Sequence, residues 1–302
     1  MGNEEKLTKV VINWYPGHMA KTKRQIEEDI KLIDIVVEIV DARIPVSSQN
    51  PDIREIVKNK KKIIALNKSD LADENETKKW IKYFEKNNIG SIDIDANSGK
   101  GINNLIKKVE LMMNDELKEN ALKGRIGKSI RILVVGIPNV GKSSFINRIS
   151  KKNSMEVGNK PGVTKKKQWI RVNNNIELLD TPGVLWPKFE SQDVALKLAY
   201  TGTIKDEILP KVNVAFYLIK FMLNNYRKNI IERYKINEEE LDTILNSQQE
   251  ENEKIYEIMK LIGKKRGCII SGNQVDDDKV ANIVLEDFRS GKLGKITLEK
   301  IN

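Results

Sequence analysis

The segment Gly136-Ile-Pro-Asn-Val-Gly-Lys-Ser143 follows a β-branched run at 131–135 and leads into an amphipathic stretch at 142–150. No other feature narrows the possible folds so far. A GxxxxGK[ST] pattern between a strand and a helix is a loop that wraps phosphates. Its glycines let backbone N–H groups close on the anion, Lys142 reaches the terminal oxygens, and the Ser143 hydroxyl takes a Mg²⁺ position at the helix start. In a chain of 302 residues the pattern arises by chance about one time in a hundred, before the flanking strand and helix are required. The sequence therefore predicts an α/β sheet holding a nucleoside triphosphate, with Asn139, Val140, Gly141, Lys142, Ser143 and Ser144 around the phosphates.

Short β-branched runs at 34–40, 62–66, 91–95, 131–135, 168–172 and 176–179 alternate with amphipathic stretches at 18–32, 50–58, 74–87, 102–120, 142–150 and 191–200. This is the pattern of βαβ units around a mainly parallel sheet. Asn67-Lys-Ser-Asp70 follows an apolar run directly, as a guanine-reading NKxD loop does, with Lys68 inside it. Asp70 would accept hydrogen bonds from guanine N1 and N2. Adenine offers no such amine, and the unpaired carboxylate would discriminate by about 10⁴. The alternative is a strand-end turn in which Asn67 and Asp70 are only caps.

Asp180-Thr-Pro-Gly183 suits a DxxG loop, in which Asp180 holds Mg²⁺ through water and the Gly183 amide meets the γ-phosphate. DxxG alone is common by chance, so its weight comes from lying about 40 residues beyond the phosphate loop. Thr164, in Pro161-Gly-Val-Thr164, fits a first switch that binds Mg²⁺ when the γ-phosphate is present. Asp95-Ala-Asn-Ser98 fits the fifth, base-facing motif, with Ala96 offering its amide to guanine O6 and Asn97 beside it.

The base-reading motifs at 67 and 96 precede the phosphate loop, so their usual order is circularly permuted. Such an order is tolerable because each motif sits on a loop at the carboxyl end of a strand, and the site depends on sheet geometry, not chain order. The expected fold class is thus α/β, a P-loop domain with permuted motifs over 1–202 after an N-terminal extension 1–16. A small all-helical domain is expected over 203–302, where the β signal fades and helical periodicity takes over.

Fifty-three Lys plus Arg against 43 Asp plus Glu give a net charge of +10. This balance favours a polyanionic partner such as RNA, with clusters at 58–62, 165–167 and 264–266; a Lys, Asn and Ile bias of the genome is the plainer alternative. One cysteine, Cys268, and one histidine, His18, exclude a disulfide within the chain and a Cys/His zinc cluster. No apolar run approaches the roughly 20 residues that cross a bilayer, and the first ten residues carry no targeting pattern. A cytoplasmic protein, monomeric and without a membrane partner, is expected.

With Trp14-Tyr-Pro-Gly-His-Met-Ala-Lys21 at the start, Asp41-Ala-Arg-Ile-Pro45 after the first strand and Gly294-Lys-Ile-Thr-Leu-Glu299 near the end, the permuted order closely resembles the bacterial ribosome biogenesis GTPase A family, the YlqF-type permuted GTPases. The resemblance spans nearly the whole chain. It implies a Mg²⁺-dependent GTP hydrolase that assists maturation of the large (50S) ribosomal subunit, binds the precursor and its rRNA in the GTP state and leaves after hydrolysis. The helical domain would carry RNA or ribosome binding. Val184 stands where Ras-like proteins place a water-orienting glutamine, and the resemblance assigns that task to His18, whose alternative readings are a helix-start residue or an RNA contact. It also places Asn139 where K⁺-stimulated relatives hold a K⁺ ion, although asparagine also simply suits the loop. A signalling or translation GTPase with a protein effector, and a nucleotide-locked RNA scaffold, are the competing classes.

Overall fold

The computed structural model describes residues 12, 19–122, 129–154, 169–181, 183, 185, 186 and 189–301. The chain divides into two units, one of 15–188 with 297–302 and one of 189–296 with 1–14.

The first unit is built on a six-stranded sheet. Its strands are β1 (Ile35–Asp41), β2 (Lys61–Asn67), β3 (Gly90–Asp93), β4 (Ile130–Val135), β5 (Trp169–Asn173) and β6 (Ile176–Asp180), in the spatial order β3-β2-β1-β4-β6-β5. All pairings are parallel except that of edge strand β5 with β6. Every residue of β1 is buried. A strand covered on both faces reads as a continuous apolar run, which explains why Ile35, Val36, Val37, Ile39 and Val40 do not alternate with polar residues. Glu38 interrupts that run, and its buried carboxylate is paired with Lys62 Nζ at 3.0 Å on β2.

From the centre the chain steps one way, β1 to β2 to β3, and then the other way, β4 to β6. Ligands bind where such directions diverge, beyond the carboxyl ends of the strands.

The associated helices are α1 (Met19–Asp29), α2 (Pro51–Ile56), α3 (Glu74–Lys86), α4 (Ile102–Met112), α5 (Asn114–Leu122) and α6 (Lys142–Ser154). The single helix expected over 102–120 is two, because Asp115 and Glu116 favour a fresh N-terminus just after Met113. Asp73 caps α3 by accepting from the amides of Asn75 and Glu76. One face of α3 then buries Trp80 and Phe84 against Val40, Ile64 and Leu66.

The second unit contains α7 (Gln192–Tyr200), α8 (Lys211–Asn225), α9 (Arg227–Tyr234), α10 (Glu238–Leu245), α11 (Glu251–Lys265) and α12 (Asp277–Arg289). Helix α8 buries Val214, Phe216, Leu218, Ile219 and Met222, and packs against α7, α11 and α12. Arg289 ties the unit together by pairing with Asp206 at 2.8 Å and donating to the carbonyls of Ala199 and Tyr200.

The structure differs from the sequence expectation in two places here. The helical residues separate at 189, not 203, because α7 buries Ala195, Leu198 and Ala199 within this unit, and residues 297–302 return to the sheet unit. The sheet unit thus resumes in sequence after the helical residues 189–296. The second unit is also not all helical. Strands β7 (Ile269–Ile270) and β8 (Gln274–Val275) form a hairpin turned by Gly272 and Asn273, both at positive φ. No helix among the described residues is long and apolar enough to cross a membrane.

Arg233 clasps the buried Asp287 carboxylate with two hydrogen bonds of 2.9 and 2.8 Å. Asp287→Ala leaves that cation without its partner and should cost about 3 kcal/mol. The lower denaturant midpoint for the helical unit at an unchanged slope is the expected reading.

Candidate functional site

Four of the sequence motifs converge at the carboxyl edge of the sheet. Asn67 closes β2, and its side chain joins two other loops: Nδ2 donates to the Val140 carbonyl at 2.7 Å in the phosphate loop, and Oδ1 accepts the Ala96 amide at 2.9 Å in the loop after β3. The backbone repeats the connection, since the Ser69 amide donates to Ile94 and the Ala42 amide to Asn67. Gly141 has φ 93°, and a Cβ there would collide with Asn67 Nδ2. Its lack of a side chain thus serves both the backbone turn and the approach of Asn67.

On the phosphate side, Lys142 is buried and its Nζ lies 3.0 Å from Asp180 Oδ1 at the end of β6. The buried Thr181 hydroxyl donates to the Val134 carbonyl at 2.7 Å, fixing the loop after β6 to the strand that carries the phosphate loop. A Cβ on Gly183 would come within 3.1 Å of Pro138 N, so the DxxG glycine lies against the phosphate loop. Helix α6 starts with the Phe145 amide donating to Gly141, with Ser143 exposed and Ser144 half-buried in its first turn. Its unpaired N-terminal amides and dipole favour an anion.

On the base side, Lys68 has φ 58° and places Nζ 3.0 Å from Asp41 Oδ2. Arg43 grips the same carboxylate through Nε at 2.9 Å and Nη2 at 2.8 Å, with both side chains only 1% exposed. Burial pushes the Asp41 carboxyl up, but the charges of Arg43 and Lys68 and the Arg43 hydrogen bonds outweigh it and hold the group well below the usual carboxylate range. Asp70 is exposed two residues beyond Lys68. In the fifth motif, burial likewise raises the Asp95 carboxyl, and hydrogen bonds from Ser98 and Asn97 with the Arg148 charge bring it below its ordinary value. Arg148 on α6 also donates to the Asn97 carbonyl, a second link between phosphate and base loops.

The structure thus brings together Asn67, Lys68, Ala96, Asn97, Val140, Gly141, Lys142, Asp180 and Gly183. His18 and Thr164 lie outside the described residues, as does Val184. The Ala96 amide, expected to face guanine O6, donates instead to Asn67 Oδ1, so its first role here is to order the loop. Asn139 is exposed at φ 61°, a left-handed conformation that asparagine tolerates, and this alone gives the loop a reason for that residue. In the basic cluster at 58–62 each lysine has a partner within the chain, while Lys58 and Lys61 stay exposed. Lys58 pairs with Glu55, Lys60 donates to the Ile33 carbonyl, Lys61 pairs with Glu116 and Lys62 with Glu38. Arg148 was not a sequence candidate, and Asp41 and Arg43 were only part of a motif without a role. Their function rests on contacts that no local spacing displays.

A family model described as 50S ribosome-binding GTPase matches residues 131–262. Ribosome biogenesis GTPase A of Bacillus cereus is 47% identical over 96% of this chain and 94% of its own length. The chain belongs to the ribosome biogenesis GTPase A family. Two solved structures of YlqF, a member of this permuted class, share the fold. One, GDP-bound, covers 92% of this chain and 99% of its own with a TM-score of 0.65 and 26% identity. The other, GNP-bound and from Thermotoga maritima, covers 93% and 98% with a TM-score of 0.62 and 27% identity. As in that family, this chain is a P-loop GTPase with permuted motifs and a helical C-terminal region.

For a ribosome biogenesis GTPase A, the Asn67 joint makes a sharp prediction. Asn67→Ala strands the Ala96 amide and the Val140 carbonyl, and Gly141→Ala adds backbone strain and a collision. Each should weaken GTP binding by about a hundredfold, as measured by calorimetric titration.

Proposed function

We propose that this GTPase is an assembly factor for the large ribosomal subunit, which it engages through precursor rRNA with GTP bound and leaves after hydrolysis. It would act in the cytoplasm as a monomer. The observation carrying the nucleotide part is the single Asn67 side chain that holds the base-reading, fifth and phosphate loops in one place. The large-subunit part is supported by the description of the matching family model.

The site suits Mg²⁺, as a GTPase domain implies. Ser143 and Asp180 offer hard oxygen donors, and no cluster of three His, Cys, Asp or Glu occurs among the described residues. That donor set fits a cation that keeps several waters and takes phosphate oxygens. Ser143, Asp180 and, by sequence position, Thr164 would hold it, and when bound it would neutralise charge on the β- and γ-oxygens. Lys142 binds those oxygens directly, the α6 amides surround the phosphates, and Gly183 brings its amide to the γ-phosphate. Asp70 selects guanine through N1 and N2.

Valine at 184 has no polar group to orient water, and the family resemblance gives that task to His18, completed when the large subunit orders the site.

Sedimentation with ribosomal particles tests the reading: co-migration with large subunits in GTP and release in GDP are expected, weakening steeply with salt. Co-migration with neither particle, together with capture of a protein effector, would overturn it.

His18→Ala should retain GTP binding and lose subunit-stimulated hydrolysis, whereas Lys142→Ala should lose binding itself. Asn139→Gly preserves the left-handed backbone and removes the side-chain carboxamide. If Asn139 holds K⁺, the variant should bind GTP and lose the preference for K⁺ over Na⁺ in a turnover assay.

A further inference from the structure

The C-terminal segment 297–301 lies on the two loops that flank the base-reading residues. The Leu298 amide donates to the Arg43 carbonyl at 2.8 Å, and the buried Thr297 hydroxyl accepts the Asp73 amide at 3.1 Å. Glu299 is only 9% exposed. Its carboxylate accepts the Val46 amide at 2.6 Å, the Ser47 amide at 3.1 Å and the Ser47 hydroxyl, while its carbonyl accepts Trp80 Nε1 at 2.8 Å. Ile301 packs against the cluster that contains Val40, Leu66 and Trp80.

The same loop reaches the base side of the site. Arg43, whose carbonyl the tail holds, grips Asp41, and Asp41 holds Lys68 of the NKxD loop. Asp73, whose amide Thr297 holds, lies three residues beyond Asp70. The tail therefore braces the loop 68–73 at both ends: at one through the buried charges of Arg43 and Asp41, at the other through one hydroxyl. None of these contacts touches the phosphate loop. The segment is also continuous in the chain with the helical unit through Ile296.

We propose that residues 297–301 are a positioning element for the guanine-reading loop, so that the grip of this tail sets how long a guanine nucleotide is retained. A buried carboxylate that accepts three hydrogen bonds is costly to strip, which makes Glu299 the anchor of the brace.

The proposal rests on the guanine-nucleotide reading above, and the test separates the two. Dissociation of fluorescent GDP, chased with unlabelled GDP, is measured for the full chain, Glu299→Gln and Thr297→Val, together with the affinity ratio of GDP to IDP, which lacks the amine that Asp70 reads. Release should accelerate about tenfold in Glu299→Gln and less in Thr297→Val, and the GDP preference over IDP should narrow in both. Failure of the unaltered chain to bind GDP would overturn the guanine reading itself. Normal binding by that chain, with variants that lose thermal stability but keep its release rate and GDP preference, would overturn the positioning role.

Discussion

One carboxamide holds the site together. Asn67 must donate to the phosphate loop and accept from the loop after β3 at the same moment, and an amide supplies both functions on a short, stiff side chain. An aspartate would set its negative charge against the Val140 carbonyl. A glutamine would need an additional methylene in the space beside Gly141. Burial raises the stakes, since a polar atom left unpaired there costs more than the bond itself returns. The close approach of Gly141, the start of α6 and the placement of Lys142 all follow from that fixed point.

The permuted order of the motifs costs this arrangement little. The loops after β2, β3, β4 and β6 share one edge because the strands between them are parallel and ordered β3-β2-β1-β4-β6, and a parallel sheet brings carboxyl ends together whichever strand comes first. The divergence of chain direction between β1 and β4 opens the crevice there. Lys142 and Asp180 meet across adjacent strands, β4 and β6, and Asn67 reaches across β1 from its other side.

Much of this was legible locally. The apolar runs of β1, β2 and β4 are rich in β-branched residues, as doubly covered strands must be, with Glu38 the break in β1 and Arg131 the break in β4, and the phosphate, NKxD and DxxG loops each follow a strand in the sequence. Less legible was anything decided by partners far along the chain. Nothing near Lys60, Lys61 and Lys62 in sequence announces their partners, the Ile33 carbonyl, Glu116 and Glu38. The return of 297–302 to the sheet unit is hidden for the same reason, since Thr297, Leu298 and Glu299 look like any short tail until Arg43, Ser47 and Trp80 stand beside them. The break at Met113 and the hairpin at 269–275 were within reach of local rules: acidic residues open α5, and Gly272 with Asn273 turns the hairpin.

The late position of the tail has a consequence for biosynthesis. Glu299 bonds to a backbone amide 253 positions earlier, and Ile301 to a carboxylate 225 positions earlier. Translation delivers the N-terminal end first, so the strands and helix that these residues complete are made long before them. The face of Trp80 must therefore wait until 297–301 have been made, and closing it requires contacts of very long sequence separation, which form slowly. A chain lacking 297–301 would keep every nucleotide motif and miss this closure.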